Sequence, residues 1–300
     1  MNTQSNSNNY HDNPVGVASS CHLFEKFLVR YPGSQKNAIN LILGEKVDRI
    51  SLYSKLLDKL NIYENFDLNV HLLKDIMNSG ASIEKGLSFI IASGKELDNF
   101  KKIDTQSLFI SKHAISDRNN IGYQRHVCPI PTKPSVSLGE YKHSTDLADA
   151  LIRKAQSIFF NLDVIRVQDS FSSQSNITGL NIYEACSISR SAGLSSGLQL
   201  FSINIGEGEL TSGTEELVSL MFWYFLEGSM DQHIDDIPEN NITYLVESDL
   251  SEEAVEFIKS KITGRWSFKH PEDGKLYPCT ENDYNELIQG SIPDIILALK

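Results

Sequence analysis

The stretch from Ser157 to Leu194, SIFFNLDVIRVQDSFSSQSNITGLNIYEACSISRSAGL, decides the fold. It opens on the apolar run Ile158, Phe159 and Phe160, passes through Asn161-Leu162-Asp163, and reaches a loop holding Asp169, Ser170 and Phe171. A short apolar run that ends in turn residues reads as a buried strand of the kind found in parallel sheets. After the loop, NIYEACSISRSAGL puts Ile182, Ala185, Cys186 and Ile188 on one side of a helix. The strand end also delivers Asn161 and Asp163, at i and i+2, to one face, where a sheet can present a pair of carboxylates to a metal ion. Only one of the pair is a carboxylate.

Outward from this stretch the chain keeps alternating strands and helices. Upstream, DLADALIRKAQ reads as a helix packed against the sheet, and residues 116 to 146 as loop, with Pro129, Pro131 and Pro134 too close together for regular structure. Earlier still, AINLILG reads as a strand and VDRISLYSKLLDKLNIY as a helix, with Ile50, Tyr53, Leu56, Leu57 and Leu60 at helical spacing. LNVHLLKDIMNSG reads as a second helix that stops at Gly80, before the strand LSFIIAS. This β-α-α-β order suits a parallel sheet. Downstream, QLFSINIG is a strand, and GTEELVSLMFWYFLEGSM is a buried helix whose Trp223 and Tyr224 belong to the core or to a subunit interface. TYLVES and EFIKSKITGRWSFK alternate apolar and polar residues, which predicts an antiparallel edge or hairpin added to the main sheet. DQHIDDIPEN, with His233, Asp235 and Asp236, reads as a solvated acidic loop.

The chain has 300 residues and is 40% hydrophobic, enough for one sizeable core. Residues 1 to about 20 are rich in Asn and Ser and predict a disordered or loosely packed segment, with 21 to 300 forming a single domain. A net charge of -12 disfavours nucleic acid as a partner. There is no 18-residue apolar stretch and no signal-peptide pattern in MNTQSNSNNYHDNP, so a cytoplasmic protein without membrane insertion is expected. Cys21, Cys128, Cys186 and Cys279 form no CxxC pair and read as free, mostly buried thiols in a reducing compartment. There is no phosphate loop of the GxxxxGK[ST] kind and no HExxH, and GEGEL at 206 to 210 is too acidic to cradle a phosphate.

The central stretch resembles the ureohydrolase superfamily (arginase, agmatinase and formimidoylglutamase), whose strand reads roughly Ser-x-Asp-x-Asp-x-x-Asp-Pro. On that pattern the first metal-ligand position is Asn161, the second is Asp163 and the loop aspartate falls near Asp169, while the proline becomes Phe171 or is lost. Gly179, Glu184-Ala185-Cys186, Ala192-Gly193-Leu194, Trp223-Tyr224-Phe225 and Gly264-Arg265-Trp266 follow in the order of a formimidoylglutamase-like branch found in Bacteroidetes-type genomes. Pro278-Cys279-Thr280, Asp283-Tyr284 and Gly290-Ser291-Ile292-Pro293-Asp294 close the chain as in that branch. The likeness covers roughly residues 36 to 297 and is strongest after Asn120. It implies an arginase-like three-layer α/β/α fold with a mostly parallel sheet, a pocket at the strand ends after Ile91, Asp163 and Ile205, and assembly into trimers or hexamers.

The family's chemistry needs Asp and His side chains converging on two manganese ions about 3.5 to 4 Å apart. Its Gly-Gly-Asp-His motif is matched here by Ser93-Gly94-Lys95-Glu96, with a lysine in place of the histidine, and a Lys95–Asp163 pair filling the vacated metal position is one reading. Its Asp-Ala-His-x-Asp motif has no counterpart beyond Asp104 and His113 at the wrong spacing. The glutamate that holds guanidinium falls near Ile205, with Glu207 and Glu209 close by. The vestigial site is therefore Lys95, Glu96, Asn161, Asp163, Asp169 and Glu207. The expectation is a non-catalytic structural or protein-binding module without cofactor, acting through a protein partner or self-association. The alternative is a manganese-dependent hydrolase of amidine C–N bonds with a rearranged site built from Asp163, Asp169, His113 and Glu207. A metal-free sensor reading a carboxylate through Lys95 or Arg166 is a third reading.

Overall fold

The computed structural model describes residues 37–44, 66–74, 87–99, 107–111, 114–116, 135–166, 179–206, 211–247, 254–271 and 273–293, all within the unit Lys36–Lys300. Eight strands form one sheet: β1 Asn37–Leu43, β2 Phe66–Leu72, β3 Leu87–Ala92, β4 Ser107–Ser111, β5 Ala114–Ser116, β6 Ser135–Ser137, β7 Ser157–Asn161 and β8 Leu200–Asn204. Their order is β2-β1-β3-β8-β7-β4-β5-β6. The pairings from β2 to β4 are parallel, and β5 and β6 add an antiparallel margin. An α/β class with a mostly parallel sheet is thus what the chain adopts.

Two expectations fail here. LNVHLLKDIMNSG does not start as a helix, since Phe66–Leu72 is a strand parallel to β1. Phe66, Leu68, Val70 and Leu72 alternate with Asp67, Asn69 and His71, and this period of two outweighs the helical spacing read from Leu68 onward. The loop-rich stretch at 116 to 146 contains β6 and a short helix, α2 Leu138–His143, while the helix expected over DLADALIRKAQ is α3, Thr145–Lys154. The prolines at 129, 131 and 134, the helix expected from Val47 to Tyr63, and Gly80 lie outside the described residues.

The core forms where β3 and β8 meet. Phe89 and Phe201 are paired across the two strands, with ring centroids 5.2 Å apart. The helix α5, Ser212–Met230, lays Phe222 and Phe225 on that pair, 4.9 and 4.8 Å from Phe89. Burying rings of this size contributes roughly 1.5–3 kcal/mol each, which explains why so apolar a helix sits here. Beside it runs α4, Ile182–Gly193, which starts in a capping box between Asn181 and Glu184. The two helices touch through reciprocal glycines. A Cβ on Gly193 would strike Phe225 O and approach Ser229 N to 2.8 Å, while one on Gly228 would strike Arg190 O and approach Leu194 N to 2.9 Å. Arg190 closes the crossing with Glu227 and Asp231, at 2.9 and 3.2 Å.

The antiparallel segment is not an addition to the main sheet. β9 Asn241–Val246, β10 Val255–Ser260, β11 Trp266–Lys269 and β12 Leu276–Cys279 form a separate four-stranded sheet in the order β12-β11-β10-β9. It has its own core of Val246, Val255, Phe257, Trp266, Phe268, Cys279 and Leu287. The helix α6, Glu281–Ile288, begins in a Thr280–Asp283 capping box and lays Tyr284 on Trp266, with centroids 4.9 Å apart. A hairpin added to the main sheet would leave these aromatics wet; pairing among themselves and covering with α6 buries them.

A polar junction ties this second sheet to the helices of the first. Asp149 of α3 accepts hydrogen bonds at Oδ1 from Arg265 Nη2 and Ser191 Oγ, both at 2.7 Å, and at Oδ2 from Arg153 Nε at 2.9 Å. Arg153 Nη2 donates onward to Trp266 O and Cys279 O, at 2.9 and 3.2 Å. Burial pushes the Asp149 carboxyl upward, but Arg265, Arg153 and the Ser191 hydroxyl outweigh it and hold the group below the usual carboxylate range. Cys186 and Cys279 are free and buried, and burial pushes the Cys186 thiol up to about 12. Cys21 and Cys128 lie outside the described residues. Among the described residues no helix is long and apolar enough to cross a membrane.

Candidate functional site

Parallel neighbours bring the carboxyl ends of β1, β3, β8 and β7 to one edge, where open α/β sheets ordinarily bind ligands. Pairing puts Ala92 beside Asn204 and Asn204 beside Asn161. After β3 the chain enters α1, Gly94–Asn99, whose first turn carries Lys95 and Glu96. Glu96 turns back on its own helix start, with Oε2 accepting from Ser93 N at 2.9 Å and from Ser93 Oγ at 2.8 Å. A side chain at Gly44 would crowd that carboxylate, because a Cβ there would lie 2.8 Å from Glu96 Oε2 and 2.9 Å from Ala92 Cα. The glycine is thus needed so that β1 can pass the end of β3, and Glu96 serves as a helix cap. Lys95 is exposed.

At the end of β7 the chain makes a turn of 3-10 helix, Leu162–Val164. Asn161 opens it, its side chain accepting from Asp163 N at 3.4 Å. Asp163 itself is half-buried. Because β8 lies between β3 and β7, the ends carrying Lys95 and Asp163 are separated by two strand spacings, about 10 Å. At the end of β8, Asn204 Oδ1 accepts from Gly206 N at 2.9 Å, an Asx turn that returns the backbone at a positive φ of 76°. Asn204 went unremarked in the sequence, although Asn-x-Gly directly after an apolar strand is the signal for such a turn. Beyond Arg166 the chain returns at Gly179-Leu180, where Arg166 N donates to Leu180 O at 3.0 Å and Leu180 N to Val164 O at 2.8 Å. A Cβ on Gly179 would strike Val164 O, which accounts for this glycine.

His113, Asp169 and Glu207 lie outside the described residues. Those described at the strand ends do not fit a manganese pair. Such a pair takes several carboxylates and imidazoles, whereas here Glu96 caps a helix and the amide oxygens of Asn161 and Asn204 accept from loop N–H groups. Among the described residues no three of His, Cys, Asp and Glu gather where an ion could be held. In the acidic loop His233 Nδ1 meets Asp236 at 3.0 Å on the exposed surface. Gly193-Leu194-Ser195-Ser196-Gly197 has the spacing of a GxSxG nucleophile elbow. Ser195, however, follows a helix instead of a strand, is buried, and donates to Ser191 O at 2.8 Å, so it is structural.

No protein-family model matches this chain, and no curated protein matches it either. Among solved structures it is similar to the agmatine ureohydrolase of Thermoplasma volcanium, at 9% identity and TM-score 0.42, over 67% of this chain and 92% of that one. It is similar to an arginase from Bacillus caldovelox, at 8% identity and TM-score 0.42, over 63% of this chain and 98% of that one. A variant of Trypanosoma cruzi formiminoglutamase bearing manganese matches at 13% identity and TM-score 0.40, over 69% of this chain and 97% of that one.

Proposed function

We propose that this chain is a ureohydrolase-superfamily protein of three-layer, arginase-like architecture, close to the formimidoylglutamase-like branch, that has given up dinuclear hydrolysis. It serves as a non-catalytic module that binds a protein partner or further copies of itself in the cytoplasm. The ordered short motifs from Gly179 to Asp294 support the family reading. The observation that carries the functional one is the row formed by Asn161 and Asn204, paired at adjacent strand ends, each amide oxygen bonded to a backbone N–H of its own loop. A neutral amide already accepting a loop hydrogen bond is a poor substitute for a bridging carboxylate. Binding to another chain is supported by β9, an edge strand of the second sheet. It carries no Lys or Pro and leaves Leu245 72% and Ile242 39% exposed, the kind of edge that proteins acting alone usually guard.

Metal content tests this reading. Protein purified without chelator and incubated with manganese is analysed by plasma mass spectrometry, beside Asp163→Ala. The expected result is no stoichiometric manganese in either protein. One or two ions per chain in the wild type, lost in Asp163→Ala, would overturn the reading. Asp163, Asp169, His113 and Glu207 would then be the ligands to mutate, with release of urea or formamide as the assay.

A further inference from the structure

Between α3, α4 and the β10–β11 turn lies a pocket of about 190 Å³. Its wall includes Thr145 and Asp149 from α3, Ser187 and Ser191 from α4, and Thr263 and Arg265 from the turn. A cavity of about 150 Å³ holds a benzene molecule, so this one has room for roughly six to ten non-hydrogen atoms.

The charges around it are unevenly placed. Arg153 and Arg265, with side chains 11% and 9% exposed, share the single carboxylate of Asp149. Arg190 on the far wall is occupied with Glu227 and Asp231, and Asp146 stands exposed at the rim. Arg265 is also unevenly used. Its Nη2 donates to Asp149 Oδ1 and Ser191 O, at 2.7 and 3.2 Å. Its Nε and Nη1 find no acceptor among the described residues, although the side chain is nine-tenths buried. These donors face the pocket without an acceptor among those residues and are left to water. An oxyanion can take the place of that water, and guanidinium prefers planar or tetrahedral oxyanions.

We propose that this pocket binds a small molecule through an oxyanion group, carboxylate or phosphate, received by the unspent Nε and Nη1 of Arg265, with the Ser187 and Thr145 hydroxyls at its mouth. The site does not depend on how the strand ends are read: a metal result in either direction leaves it standing. Occupancy adds a second anion beside Asp149 and so stiffens the joint between the two sheets.

Isothermal titration calorimetry on the full chain at low salt, with succinate and with inorganic phosphate as separate probes and chloride as control, tests it. The expected result is saturable binding of at least one oxyanion with a rise in Tm, and none with chloride. Ser187→Trp fills the mouth from an exposed position that takes no part in the Asp149 network, so the variant should keep the wild-type Tm and lose affinity at least tenfold. Arg265→Lys should lose it as well, and Ser187→Trp decides the matter if that variant does not fold. Binding of succinate alone identifies a carboxylate site, and binding of phosphate alone a phosphate site. No heat and no Tm change with either probe at 10 mM (roughly the limit of specific recognition), or undiminished affinity in Ser187→Trp, would overturn the proposal.

Discussion

The bonds that shape the strand-end loops and those that build the Asp149 junction differ in reach. At the strand ends, Ser93 bonds Glu96, Asn161 bonds Asp163 and Asn204 bonds Gly206, each within three residues of chain. At the junction, Arg265 reaches Asp149 across 116 residues, Arg153 reaches Trp266 across 113, and Ser191 reaches Asp149 across 42. Local bonds shape a loop whether or not it does anything else. Long-range bonds exist only when the elements that carry them are folded together, so the junction's bonds report on tertiary structure.

The sharpest way to break that contrast is Asp149→Ala. Among the described residues it removes the only carboxylate paired with the buried Arg153 and Arg265 guanidiniums, and losing one partner of such a cluster costs about 3–5 kcal/mol; urea unfolding should show a loss of that size, with α4 and the second sheet loosening together. A loss under about 1 kcal/mol, the range of an exposed ion pair, would sink the idea. The junction also predicts an acid limb. Because the folded pKa of Asp149 lies below its ordinary 3.8, its contribution is complete above about pH 4 and is lost as pH falls through the folded value. Lys154 acts at the other end: burial, only partly opposed by Asp283, brings its pKa from 10.5 to about 8. Between those values the unfolded chain holds more protons at this group, so Lys154 contributes a rise in stability with pH from 8 to 10.5, opposed above pH 9 by the raised Cys186 thiol, and Lys154→Met should make the alkaline decline steeper than in the wild type.

A smaller effect is expected from Gly228→Ala. The new methyl would collide with Arg190 O in the facing helix. Overpacking of this kind costs about 1–3 kcal/mol, and since α4 carries Ser191 to Asp149, the acid limb should shift as well. Loss of stability with an unchanged acid limb would show that α4 and the junction are less tightly linked than the distances indicate.

The sequence made the contrast only half legible. Ile158 to Phe160, the apolar side of α4 and the apolar run of α5 could be read because their signals lie within one element. The strand at Phe66–Leu72 was misread because its alternation continues into Leu73, giving a helical spacing over the same residues. The second sheet was taken for a hairpin because pairing among β9 to β12 is decided by partners, not by any one strand. At the site, the place of Lys95 and Asn161 just after apolar strands is legible, but that Glu96 caps α1 and Asn204 turns its loop depends on geometry the strand pattern does not carry. Of the junction, only Arg153 lies four residues from Asp149; Arg265, Ser191 and the carbonyls of Trp266 and Cys279 come from separate elements, and no local pattern announces them.

The smallest expected effect bears on the strand ends themselves. Asn161→Ala removes one acceptor from a long 3.4 Å bond and Asn204→Ala one from a 2.9 Å bond, so each should cost about 0.5–1 kcal/mol, in the range of lost turn and cap interactions. Although the two residues are paired across β7 and β8, the side-chain bond of Asn161 goes to Asp163 N, so nothing it does runs through Asn204. The double variant should then equal the sum of the singles to within about 0.5 kcal/mol. A coupling above about 1 kcal/mol would mean that the two amides act jointly, which neighbouring loops shaped independently cannot explain. It would return the strand ends to the status of a working site, and the contrast with the junction would fail there.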